Sequence, residues 1–208
     1  MFINIFLKAI NNIFPMLFII TVILVSIRLT YLIYNKKKIV LYKELLMLFF
    51  IFYILLLYYI ISFQDNNYGT NNFIPFKEIF RYKITSRLFI RNVLGNIILF
   101  IPLGIFITYY IKNKTFLITV LLSLLISCSI ELAQSIIGRT CDVDDVILNT
   151  IGGLFGYLIY SKGNLILNKV PKFMKSQIFL DIIAIISILI VIYMLFKMEF
   201  WRIFVWMK

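Results

Sequence analysis

The residues best able to do chemistry in this chain crowd into one stretch, "ELAQSIIGRTCDVDDVILNT" at 131–150. The whole sequence holds nine Asp and Glu residues, and Glu131, Asp142, Asp144 and Asp145 are four of them. Clustered carboxylates can act as general acids or bases or gather a hard cation such as Mg²⁺ or Ca²⁺. With a guanidinium beside them, here Arg139, they can recognise a phosphate- or carboxylate-bearing head group. Histidine is absent, which excludes Ser-His-Asp triads, HExxH metal sites and imidazole proton shuttles. Catalysis would have to use carboxylates, Lys, Arg, Tyr, Ser or Cys. The two cysteines, Cys128 and Cys141, are too few for a disulfide framework or a zinc site, and two unpaired thiols are expected.

Spacing sorts these residues by face. Ser127, Glu131 and Gln134 fall at i, i+4 and i+7, one side of a helix. An ionised carboxylate inside a membrane costs about 2.5–3.5 kcal/mol on insertion scales, so the stripe must point into a bundle. Its plainest use is a single buried contact from Glu131 to Arg139 or to Asn96, and its richer use is a functional site. Gly138 reads as a helix C-cap. Asp144 or Asp145 reads as a cap and dipole partner for the following helix, which leaves Asp142 as the surplus carboxylate. Asn149 lies four residues beyond Asp145 and joins the polar cluster, whereas Gly152, Gly153 and Gly156 read as a close-packing face. Asn92 and Asn96 are one turn apart, beside Gly95 and ahead of a helix-kinking Pro102. The expected ligand-binding set is therefore Asn92, Asn96, Glu131, Gln134, Arg139, Asp142, Asp145 and Asn149. Catalytic candidates are Glu131, Asp142 and Arg139. Glu131, Asp142 and Asp145 are only weak candidates to hold a divalent cation, since their spacing is not that of an EF-hand, and no resident cofactor is expected.

The elements that must position these groups are membrane helices. Of 208 residues, 62% are hydrophobic and 14% charged, against about 45–50% and 25% in soluble domains. A span needs about 20 mostly apolar residues, and six segments qualify: 13–34, 45–63, 93–111, 115–137, a short fifth at 146–161, and 178–197. The expected fold is one all-α, polytopic transmembrane domain over 1–208. The fifth segment carries Asn149, Thr150 and three glycines, so it is a span packed inside the bundle or, as the alternative, a re-entrant hairpin. Residues 1–12 read as a lead that lies on the interface, with no removable signal peptide. Residues 64–92 contain alternating basic and apolar positions from Lys77 to Arg91 and form an amphipathic helix on the membrane or a solvated loop. Arg28 is expected to snorkel to the head groups. The net charge is +12, and on so apolar a chain its expected partners are membrane lipids, with no nucleic acid. Lysine and arginine counts on the two sides of the six-span topology are equal. The Lys36-Lys37-Lys38 run breaks the tie and sets 64–92 and 138–145 on the outer face of a cell membrane.

Three blocks resemble the VanZ-like membrane protein family: "NNFIPFKEI" at 71–79, "NVLGNIILFIPLG" at 92–104 and "ELAQSIIGRTCDVDDVILNTIGGLFGY" at 131–157. They define a family-like core over about 71–157. The matching positions are Asn72, Pro75, Phe76, Asn96, Pro102, Gly104, Glu131, Gln134, Arg139, Asp142, Asp144, Asp145, Asn149, Gly152, Gly153 and Gly156. Cys141 departs from the pattern, which more often has a bulky residue there, and this argues against a nucleophilic role for it. The resemblance implies a cell-envelope protein that reduces susceptibility to lipid-bearing glycopeptides such as teicoplanin without remodelling their target. The reading it favours is an amphiphile binder, with a lipoglycopeptide or a lipid-linked wall precursor as partner. The alternative is a membrane hydrolase or transferase acting on a lipid-linked wall or teichoic-acid precursor. A flippase is the third reading, weakened by the absence of an inverted repeat.

Overall fold

The computed structural model describes residues 2–63, 71–112, 115–136 and 138–206, with the helical side chains outside 2–15, 17–18, 59–63, 166–168, 191–192 and 194–206. The described residues are helical, with one isolated parallel bridge, between Asn72 and Asp142, and no strand. The helices are α1 (Phe2–Tyr34), α2 (Leu41–Phe63), α3 (Lys77–Arg81), α4 (Arg87–Phe89), α5 (Gly95–Ile111), α6 (Phe116–Ile136), α7 (Val143–Lys169) and α8 (Gln177–Trp206). A π-turn at Ile90–Leu94 leads into α5, and a 3-10 turn at Lys172–Lys175 precedes α8. Among the described residues, Leu41–Tyr58, Arg87–Ile111 and Phe116–Ile136 are long and apolar enough to cross a bilayer. The chain is a helical membrane protein.

Two compact units can be separated. One comprises 1–13 with 54–168, and the other 14–53 with 169–208. In the first unit, glycine lets helices touch backbone to backbone. A Cβ on Gly104 would strike the carbonyl of Gly153, and one on Gly156 would strike that of Ile101. Thus α5 and α7 meet along a face where only hydrogen atoms fit, the small-xxx-small packing that Gly152 and Gly156 promised. Phe100 and Leu103 fill the adjoining core. Thr108 and Thr119, 3.2 Å apart, tie α5 to α6. In the second unit the amide of Tyr42 donates to Asp181 (2.9 Å), joining α2 to α8.

Several expectations give way. The segment at 146–161 belongs to one uninterrupted 27-residue helix, which removes the re-entrant hairpin: glycines that pack against another helix do not break their own. The described part of the lead, 2–12, is continuous with the first long helix in α1. No single amphipathic helix runs from Lys77 to Arg91. The described part of that region is a five-residue helix, a bend, and a new start at Ser86, whose hydroxyl accepts from the Phe89 amide (3.1 Å) as an N-cap. The first part of that connection, 64–70, lies outside the described residues. The guanidinium of Arg28 forks onto Glu44, with Nε–Oε2 at 2.8 Å and Nη2–Oε1 at 3.1 Å, a partner the expectation did not include.

Candidate functional site

The site grows from the inward face of α6. Thr119, Ser123, Ser127, Glu131 and Gln134 are spaced four, four, four and three apart, and all are buried. On the opposite side Leu121, Leu125, Cys128 and Leu132 are exposed. The helix stops where Gly138 takes φ 82°. Its amide donates to Ser135 O (3.1 Å), and that of Arg139 to Gln134 O (3.0 Å). These bonds close the last turn, and a left-handed residue is the usual means.

The chain then runs against residues 71–79. The Asn72 amide donates to Cys141 O (2.9 Å), and the Val143 amide donates to Asn72 O (3.0 Å). Asn71 Oδ1 accepts from the Cys141 amide at 3.0 Å. Asn72 Nδ2 reaches Asp142 Oδ1 at 2.9 Å. Asp142 is the N-cap of α7, because the same oxygen accepts the Asp144 amide (2.9 Å), as a residue just ahead of a helix should. Its own amide donates to Glu131 Oε2 at 2.9 Å, linking the end of α6 to the start of α7.

Asp144 does something different. It is 1% exposed, and its carboxylate accepts three backbone amides from far upstream: Phe76, Glu78 (2.7 Å) and Ile79 (3.2 Å). Phe76 itself sits at φ 66°, a left-handed conformation costing a non-glycine residue roughly 1–2 kcal/mol. The charge-assisted bonds to Asp144 offset that strain. The roles expected of the aspartates are therefore exchanged. Asp142 caps the helix, and Asp144, absent from the expected binding set, is the surplus acid that pins the 71–79 segment. Three neighbouring aspartates cannot be ranked by helix physics when the deciding donors lie more than sixty residues away in sequence.

The remaining predicted residues divide. Asp145 accepts from Asn96 Nδ2, so α5 is tied to α7. This is where Asn96 turns, rather than to Glu131. Asn149 Nδ2 donates to Ser127 Oγ (2.9 Å), tying α7 to α6. Arg139, half-buried, lies near enough for its charge to act on Glu131 and Asp145. Gln134 is buried on the same face. Asn92 turns elsewhere: its Nδ2 donates to Tyr82 OH (3.0 Å) and its Oδ1 accepts from Arg91 Nε (3.1 Å). The π-turn around Asn92 shifts it out of helical register with Asn96, so the one-turn spacing misleads there. Ser127 is the further member found in place, and the i, i+4 stripe was its signal.

Electrostatics follow from burial. Desolvation raises the Asp142 carboxyl above its ordinary value, opposed by the Asp144 amide and the Asn72 side chain. The Cys141 thiol is also raised, by desolvation first and by the Glu131 charge second. It stays protonated and is a poor nucleophile, as its departure from the family pattern implies. Both cysteines are free. Among the described residues no three Asp, Glu or Cys side chains are placed to hold a metal ion; the oxygens of Glu131, Asp142 and Asp145 instead accept hydrogen bonds from the chain.

What fold and site define together is a polytopic helical membrane protein with an acidic, hydrogen-bonded corner where two of its long helices meet. The VanZ/LLP1 family model matches residues 48–168, and the chain belongs to that family. It is similar to Protein VanZ of Enterococcus faecium, 34% identical over 102 residues, which covers 48% of this chain and 62% of that protein. The match thus spans less than two thirds of the relative's length. No solved structure matches.

Proposed function

We propose that this chain is an envelope membrane protein that lowers susceptibility to lipoglycopeptides such as teicoplanin by holding an amphiphile at its acidic corner. The other spans are α1, α7 and α8, making six, with 138–145 on the outer face of the cell membrane. The observation that carries this reading is that residues of three sequence blocks, Asn72, Asn96, Glu131, Arg139, Asp142 and Asp145, converge within the stretch that matches the family. Arg139, half-buried at the rim, is the cation that an anionic head group or a lipid-linked phosphate meets. The apolar outer faces of α6 and α7 offer area to the acyl chain at about 25 cal/mol per Å². The partners are membrane lipids and one such amphiphile, with the protein acting by occupancy rather than by chemistry.

The test uses a susceptible host making the wild type, Glu131→Gln or Arg139→Ala. The wild type should reduce susceptibility to teicoplanin and not to a glycopeptide lacking an acyl chain. Both variants should lose the effect while accumulating normally in the membrane. Mass spectrometry of envelope lipids and wall polymers should show no change, and a changed inventory would refute occupancy. Labelling Cys141 with a membrane-impermeant thiol reagent at alkaline pH, in a Cys128→Ser background, should be as extensive in intact cells as in opened ones, slow as it is for so raised a thiol.

A second reading, a hydrolase or transferase on a lipid-linked wall precursor, is favoured by one observation. The Asp142 amide donates to Glu131 Oε2 at 2.9 Å, which brings two acidic residues to one corner, and burial raises the Asp142 carboxyl; Glu131 or Asp142 is the general base in that reading. That reading requires the lipid inventory to change, and to revert in Asp142→Asn.

A further inference from the structure

The second unit contains a cavity of about 560 Å³ that the acidic corner does not use. Its volume is that of a small-molecule site. Leu24, Leu32, Leu45, Leu48, Ile51 and Ile188 are among its apolar lining. Its polar groups are Tyr31 and the Arg28–Glu44 pair. Because that pair is bidentate, with Nε–Oε2 at 2.8 Å, Glu44 brings no net negative charge to the wall.

The rim is strongly basic. Ile39 and Leu41 line the cavity, and the turn that leads to them carries exposed Lys36, Lys37 and Lys38, with exposed Lys43 just beyond. Lys37 Nζ donates to Tyr31 OH at 2.9 Å and sits 4.9 Å from the ring centroid, while Arg28 stacks on the same ring at 5.6 Å. Lys43 lies 5.8 Å from the ring centroid of Tyr42. Among the described residues none of the four lysines forms an ion pair with a carboxylate. Asp181, the other acid of this unit near the rim, accepts the Tyr42 amide. Arg28 thus lines the cavity, Lys37 bonds Tyr31 in its wall, and Lys36, Lys38 and Lys43 are close neighbours in sequence of the lining residues Ile39, Leu41 and Glu44.

We propose that this cavity binds an anionic phospholipid, one acyl chain within the apolar wall and the phosphate on Lys36, Lys37, Lys38 and Lys43. The charge complementarity argues for this occupant. A zwitterionic lipid satisfies the wall equally well but gains nothing from four unneutralised ammonium groups. Basic clusters beside membrane helices attract anionic head groups for this reason. The inference draws on residues of the second unit alone and stands independently of the function proposed for the first.

The full chain, delipidated in a non-ionic detergent, is offered dioleoylphosphatidylglycerol or dioleoylphosphatidylcholine, and retained lipid is read by native mass spectrometry. The phosphatidylglycerol should be retained roughly ten-fold or more over the phosphatidylcholine. A Lys36→Gln/Lys37→Gln/Lys38→Gln/Lys43→Gln protein should retain the two equally. Leu48→Trp, which fills the cavity, should lower retention of both, with helicity by circular dichroism checking its fold. Equal retention by the wild type overturns the proposal, as does a preference that survives undiminished after removal of the four lysines. Undiminished retention by folded Leu48→Trp also overturns it. The exposed lysine substitutions leave the core untouched, so the question is decided even if Leu48→Trp does not fold.

Discussion

The turn at 35–40 and the turn at 138–142 each join two long helices, and they differ in almost every other respect. The first is basic and closed by its own backbone, with the Asn35 amide donating to Tyr31 O (3.1 Å) and that of Lys37 to Leu32 O (2.9 Å). Its nearest ion pair, Arg28 with Glu44, has side chains 39% and 20% exposed. The second carries Asp142, which caps α7 and holds the Asn72 side chain, and Asp144 just beyond it is spent on the backbone donors of a distant segment. The lesson concerns where charge goes in a membrane protein. Lysines stay at the surface, where water and head groups solvate them. Buried carboxylates persist only where amides replace the water they lost.

Substitutions at the two turns should therefore differ in scale. The largest effect belongs to Asp144→Ala. It removes the buried acceptor of three backbone amides and releases Phe76, and should cost about 2–4 kcal/mol, read as thermal unfolding in detergent. Fast hydrogen exchange at residues 76–79 should accompany it, and a loss under 1 kcal/mol would end the contrast drawn above. Next is Gly138→Ala, forced to hold φ 82°, at about 1–2 kcal/mol. At the basic turn, Glu44→Gln should cost about 1 kcal/mol, because the pair is only partly buried and glutamine keeps an acceptor for the guanidinium.

The smallest effect sharpens the comparison through pH. Burial raises the Asp142 carboxyl above its ordinary value of 3.8. The folded state thus holds more protons than the unfolded one between that value and the raised one, and stability falls as pH climbs through the window. Asp142→Asn keeps the cap, since asparagine serves as well there, and should flatten this part of the slope. Melting temperatures taken from pH 4 upward for both proteins provide the check.

Much of the first unit was legible in the sequence. The apolar runs marked the long helices, and the stripe of Ser127, Glu131 and Gln134 pointed inward as its spacing required. The glycines of 152–156 packed as that spacing foretold, and Gly138 ended its helix. These are signals within one or two turns, where periodicity carries the information. Contacts across long sequence separations were not legible. Asn96 could have met Glu131 or Asp145 equally well by pattern. Arg28 met Glu44 across a turn, though a lone arginine on an apolar helix reads as snorkelling. Asn92 was lost to a π-turn that no composition signals. Ser86, by contrast, was a readable N-cap, and it should have divided the 77–91 region into two pieces.

The donors gathered by Asp144 carry a consequence for biogenesis. Synthesis runs from the N-terminus, so the amides of Phe76, Glu78 and Ile79 leave the ribosome 65 to 68 residues ahead of the side chain that accepts them. Until α7 begins to emerge, nothing holds Phe76 in its left-handed turn. A nascent chain arrested before Asp144 should keep that segment open to protease, and one extended through α7 should protect it.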